Sequence, residues 1–218
     1  MADFAGEPRF PAVAEVEAYW DGLRRGRVVP CRSDIDPRGI EHALEYAFIL
    51  ERIAPGLARL RIAGMHLNDL MGMETRGMPI SSLISPATRS GFSGVLEQVM
   101  STPAVAKLRL SAETGIGKPA LEGRMLLCPL ESDMGDVSRV IGCLSTNGAI
   151  GHGPRRFDLV GTEMRDLLRD AKPDFRFEQN ESVTEGKKFA PGLAETQRPF
   201  ETGNRKRPSY LRLVKSDD

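Results

Sequence analysis

Apolar residues recur along the first half of the chain with two different periods. Val13, Val16, Trp20 and Leu23 fall at i, i+3, i+7 and i+10, which lines one side of a helix of about three turns that fades at "RRGR". In "SDIDPRGIEHAL" Asp36 suits a helix cap and Pro37 a first helical position, because the amide hydrogen that proline lacks would have no partner there. A short second helix is predicted. From Tyr46 the period drops to two: Tyr46, Phe48 and Leu50 alternate with Ala47, Ile49 and Glu51, and after "APG" Ala58, Leu60 and Ile62 alternate with Arg59 and Arg61. Two strands joined by a short turn make an antiparallel hairpin.

Two short helical pieces follow, Leu67 to Glu74 and Ile80 to Ser85, split by "RGMP". A longer helix opens at Ser85 and Pro86, keeps Phe92, Val95, Leu96 and Val99 on one face, and stops at "STP". Three more strands come next, "AKLRLSA", "GRMLLCPL" and "VSRVIGCLS". The middle one is apolar on both faces, so both sides of the sheet should be covered, one by the short helices and the other by the leading helix. After the joint "NGAIGHG", Phe157, Val160, Met164, Leu167 and Leu168 predict one more amphipathic helix.

The order of elements is that of an α+β domain: a five-stranded antiparallel sheet with short helices on one face and flanking N- and C-terminal helices. The predicted organisation is a flexible N-terminus (1–12), an amphipathic helix and linker (13–36), the domain itself (37–150), a joint and C-terminal helix (151–171), and a mostly disordered tail (172–218). The tail is poor in apolar residues and rich in proline and glycine. Its exception is "RKRPSYLRLVK", residues 205–215, with five positive charges and no negative one.

Composition narrows the function. Thirty basic residues balance thirty acidic ones over 218 residues, so no global field draws nucleic acid or an acidic membrane. Cys31, Cys128 and Cys143 form no CxxC pair, and "MADFAGEPRF" has neither the basic nor the apolar region of a secretory signal, which reads as a reduced, cytoplasmic protein. No apolar run approaches the roughly 20 residues that span a bilayer, so no membrane insertion is expected.

No catalytic constellation emerges. GxSxG and HExxH are absent, "ETGIGKP" lacks the first glycine and the hydroxyl residue of a phosphate loop, and His42, His66 and His152 have no metal-ligand spacing. A binding module fits better than an enzyme, and no metal is expected. Arg155, Arg156 and Asp158 lie in "RRFD", whose RxxD spacing resembles that of some cyclic dinucleotide sites. With the glycine joint they suggest, within 147–158, an alternative: a receptor for a nucleotide second messenger. The basic terminal segment reads as a solvated tail or a protein docking motif; nucleic acid is disfavoured, because five charges with Tyr210 as the sole aromatic give only weak, salt-dependent phosphate affinity.

Five separated words, "VVPCRSDIDP", "FILERI", "LRIAGMHLNDLMGMETRGMPISSLISPATR", "LLCPLESDMGDVSRVIGCLS" and "PRRFDL", together resemble the alphaproteobacterial single-PAS-domain family, and the element order resembles the PAS fold. The resemblance implies a cytoplasmic sensory or regulatory protein with a partner in a signalling pathway, a small cavity under the helices, and a homodimer through the N-terminal helix. Met71, Met73, Met78, Phe92 and Leu96, with Cys128 and Cys143 on the sheet, are the candidates for the cavity wall. The ligand stays unknown. Haem is disfavoured because residues 86–102 contain no histidine, and flavin because no "NCRFL"-like word is present.

Overall fold

A computed structural model of the chain describes residues 10–170. Strands β1 (Ala47–Ala54), β2 (Leu57–Ala63), β3 (Ala104–Ala112), β4 (Glu122–Glu131), β5 (Val137–Asn147) and β6 (Phe157–Asp166) form one sheet in the order β2-β1-β5-β4-β3-β6. Each neighbouring pair is antiparallel. The class is α+β, with the hairpin and the three later strands where the apolar patterns predict them.

The sheet has six strands rather than five. The stretch expected as a C-terminal helix is β6, which pairs with β3 from Ala104↔Asp166 to Ala112↔Phe157, and only Leu167–Asp170 turns helical after it. The apolar spacing from Phe157 to Leu168 mimics a helix, yet Phe157 is fully buried while Val160 is 62% exposed. What decides the conformation is non-local: the far edge of β3 would otherwise carry a row of unpaired backbone groups, and β-branched Val160 and Thr162 suit a strand. The expected tail, 172–218, lies outside the described residues.

Two apolar layers cover the sheet. On the inner face lie α2 (Met65–Met71), a 3₁₀ turn at Ile80–Leu83 and α3 (Arg89–Ser101). Leu67, Leu70, Ile80, Leu83, Phe92, Leu96 and Val99 pack there against Phe48, Leu50, Leu108, Met125, Leu127 and Leu144. On the outer face lies α1 (Pro11–Arg24), which starts on proline, as the missing amide hydrogen permits, and ends as Arg25 and Gly26 turn left-handed at φ 46 and 86. Its Ala12, Val16 and Trp20 cover Val105, Leu126, Leu130 and Ile141. Burying a side chain such as Val16 is worth about 1.5–3 kcal/mol. The partly exposed pairs Glu17–Lys107 and Asp21–Arg165 add about 0–1 kcal/mol each, so apolar contact seats the helix and the charges orient it. Among the described residues, Val137 alone is packed against both layers.

At Gly142 the sheet is one backbone thick. A Cβ there would lie 2.3 Å from the Phe48 ring and 2.7 Å from the Leu126 carbonyl oxygen. The ring of Phe48, paired across the ladder with Gly142, lies over that glycine in the inner layer.

Candidate functional site

Between α1 and β1 the chain crosses the outer face of the sheet, and local chemistry fixes how it crosses. Asp34 accepts the backbone N–H of Cys31 at 3.0 Å and pairs with Arg27 at 2.5 Å; the guanidinium holds its carboxyl below the usual carboxylate range. Asp36 caps the 3₁₀ segment Pro37–Ala43 by accepting from the N–H of Arg38 at 3.0 Å. A kink at Ile40 (φ −133, ψ 37) breaks that segment, with Ile40 and Ala43 buried and Leu44 left 47% exposed.

The crossing is clamped to α1. The Tyr19 hydroxyl donates to the Asp36 carbonyl at 2.9 Å and accepts from the Asp36 N–H at 2.7 Å. The Tyr19 ring lies so close over Gly39 that a Cβ there would sit 2.1 Å from Cε2. Helix and crossing are thus held as one piece.

Beneath the crossing opens a cavity of about 730 Å³, walled by Ile35, Ile40, Leu44, Ile49, Ile62 and Ile141. A second recess of about 530 Å³ adjoins it, lined by Arg32, Arg61, Arg76 and Arg139 with Asp133, and Arg32, Ile49 and Ile62 line both. Glu51 pairs with Arg59 at 2.7 Å, with Arg61 at 2.5 Å and with Arg139. Its arginine partners, Arg61 foremost, push its pKa down to about 2. Arg32 and Arg76 make no ion pair among the described residues. The joined groove is therefore apolar along its body and positive at one end.

The residues expected to wall a cavity under the helices are divided among three places. Met71, Phe92 and Leu96 sit in the inner layer at 4%, 0% and 1% exposure, and Met78 packs at its margin. Met73 is 55% exposed, one residue beyond Gly72, whose left-handed φ of 69 ends α2 and turns the chain outward. Cys128 and Cys143 lie on the outer face beneath α1, off register by two residues, since Cys128 pairs with Ile141 and Cys143 with Leu126. Burial pushes the Cys143 thiol up to about 12 and that of Cys128 well above its ordinary value.

Arg155, Arg156 and Asp158 do not converge. The fully buried Arg155 guanidinium donates to the backbone carbonyls of Glu113 at 3.1 Å, Pro119 at 2.7 Å and Ile150, tying the β3–β4 loop to the joint before β6. Arg156 is exposed, and Asp158 accepts from the Ser85 hydroxyl. His66 sits 3.0 Å from the Thr146 hydroxyl, with its ring edge-on to Tyr46; desolvation lowers its pKa. Among the described residues no three His, Cys, Asp or Glu side chains are grouped to hold a metal ion, and no helix is long and apolar enough to cross a membrane.

Reading for motifs missed Arg32, Arg61, Arg76 and Arg139. One signal was present: Arg59 and Arg61 break an otherwise apolar hairpin opposite Glu51, and opposite charges paired across strands are a sheet device. That the crossing roofs over their neighbours is a tertiary fact with no local signature.

A family described as PAS domain matches residues 9–145. No curated protein matches the chain. Among solved structures, the chain is similar to the light-state structure of the blue-light photoreceptor Aureochrome1 LOV, at 11% identity and a TM-score of 0.36 over 51% of this chain and 88% of that one. It is also similar to an RNA-binding Light-Oxygen-Voltage receptor, at 20% identity and a TM-score of 0.36, over 53% of this chain and 35% of that one.

Proposed function

The chain belongs to the PAS domain family, and we propose that it is a non-enzymatic regulatory protein of the cytoplasm, of the alphaproteobacterial single-PAS kind, that acts through contacts with other proteins. A sensory or regulatory role follows from the family. The observation that carries the rest is the Tyr19 clamp: the roof of the outer groove and α1 are held together by two hydrogen bonds and a ring-on-backbone contact. An occupant of the groove that favours one position of the crossing favours one position of α1, which is a population shift with a defined mechanical link.

We place the regulatory ligand in this outer groove rather than under the short helices, where Met71, Phe92 and Leu96 are packed into a continuous core. Ala12, Val16 and Trp20 are spent on the sheet, so a homodimer through α1 draws on the exposed side of that helix. A receptor for a nucleotide second messenger built on Arg155 lacks comparable support, because both terminal nitrogens of that guanidinium serve backbone carbonyls.

Native mass spectrometry of the full chain purified from its own host tests the proposal, with Tyr19→Phe alongside. A stoichiometric protein partner or second copy held by the wild type, and held less by Tyr19→Phe, is the expected result. A bare monomer in both samples overturns the reading.

A further inference from the structure

We propose that the outer groove binds an amphipathic acid: an unbranched aliphatic chain in the isoleucine-walled body, with its anionic head among the arginines at the end that Arg32 shares. Resting on the regulatory role of the groove, the ligand class is nonetheless read by a measurement separate from the partner test above.

The body is built for aliphatic contact. A volume of about 730 Å³ is in the range of small-molecule sites, roughly 300–1,000 Å³, and its wall is built from Ile35, Ile40, Ile49, Ile62 and Ile141. Phe48 and His42 carry the aromatic rings among the lining residues; the Phe48 ring lies over Gly142 on the inner side, and the His42 side chain is 89% exposed at the rim. A base or a flavin would find little ring surface along this isoleucine wall to stack on. A flexible aliphatic chain needs only apolar contact, which these side chains supply.

The two ends differ in sign. Glu41, His42 and Glu45 line the body and not the basic recess, whereas Arg32 lines both cavities and Arg61, Arg76 and Arg139 line the recess. Glu51 is already shared among Arg59, Arg61 and Arg139, and Asp133 is the one carboxylate among the described residues that line the recess. With Arg61 and Arg139 engaged by Glu51, Arg32 and Arg76 are left without an ion pair among the described residues, and a carboxylate head can take up their paired N–H donors.

The test uses the full chain with ¹³C-labelled isoleucine and methionine methyls, titrated with sodium decanoate below its micelle concentration and in parallel with decanol. The expected result is saturable shifts at Ile49, Ile62 and Met65, with decanoate held about fivefold more tightly than decanol. Arg32→Ala should bring decanoate down to the decanol level, and Ile62→Glu should weaken both about tenfold or more. The Met71 methyl reports that the inner layer of each variant is intact. Shifts centred on Met71, equal affinity for acid and alcohol in the wild type, an acid preference untouched by Arg32→Ala, or no saturation would each overturn the proposal.

Discussion

Trp20 on α1 donates its indole N–H to the carbonyl oxygen of Pro129 on β4, 2.9 Å away across 109 residues of sequence. The β3–β4 ladder stops at Ala106↔Leu127, so on that side Pro129 has no strand to serve, and its missing N–H costs nothing. The carbonyl it leaves is satisfied by the helix. Two effects separate by substitution. Trp20→Phe keeps apolar bulk but orphans a buried acceptor, an expected loss of about 1–3 kcal/mol; Trp20→Ala adds a cavity, for about 3–5 kcal/mol. Urea unfolding followed by circular dichroism measures both, and a loss under 0.5 kcal/mol for Trp20→Ala would mean that α1 is not seated by this contact.

Met71 and Met73, two residues apart, should respond oppositely to truncation. Met71 is 4% exposed in the inner layer and Met73 is 55% exposed. Met71→Ala should lose about 2–5 kcal/mol and Met73→Ala less than about 0.5 kcal/mol, read from the same unfolding curves.

That pair also marks how far the sequence could be read. Period-two alternation located β1, β2 and β3, apolar runs bounded by turns located β4 and β5, and the Val16 and Trp20 positions located α1, because each pattern reports the burial of a local element. Three things escaped. β6 needed the open edge of β3, which no local window contains. The face of Cys128 and Cys143 could not be assigned because β4 is buried on both sides, so alternation carries no parity there. The groove is roofed by Pro37–Ala43, a segment whose cap at Asp36 was legible while its position over Ile49 and Ile141 was not.

Thiol accessibility should follow the same division. Cys128 and Cys143 are buried and their thiols are pushed up by burial, so the thiolate, the reactive form, is scarce at neutral pH. With a maleimide at pH 7 the native protein should take one label, at Cys31, which is half-buried, and three after denaturation. Mass spectrometry counts the labels, and modification of Cys128 in the native state would show that α1 lifts from the sheet.

Acid should loosen the hairpin end of the sheet through Glu51. Its folded pKa of about 2 lies below the ordinary 4.5, so its contribution is complete above about pH 5 and disappears as pH falls toward 2. Glu51→Gln should be less stable than the wild type at pH 7, and the difference should shrink across that window. A constant difference from pH 6 to pH 3 in urea midpoints would show that the arginines do not hold this carboxylate.

The sheet works as a thermodynamic partition. Because Val137 alone among the described residues packs against both apolar layers, and of the inner layer Phe48 and Ala63 reach the outer groove, side-chain routes from one side to the other are few. Substitutions taken one from each layer should combine additively, as independent sites do, whereas pairs within a layer should not. Such a division lets the exposed rim of the groove drift in sequence, trading one occupant for another, without disturbing the layer on the opposite face.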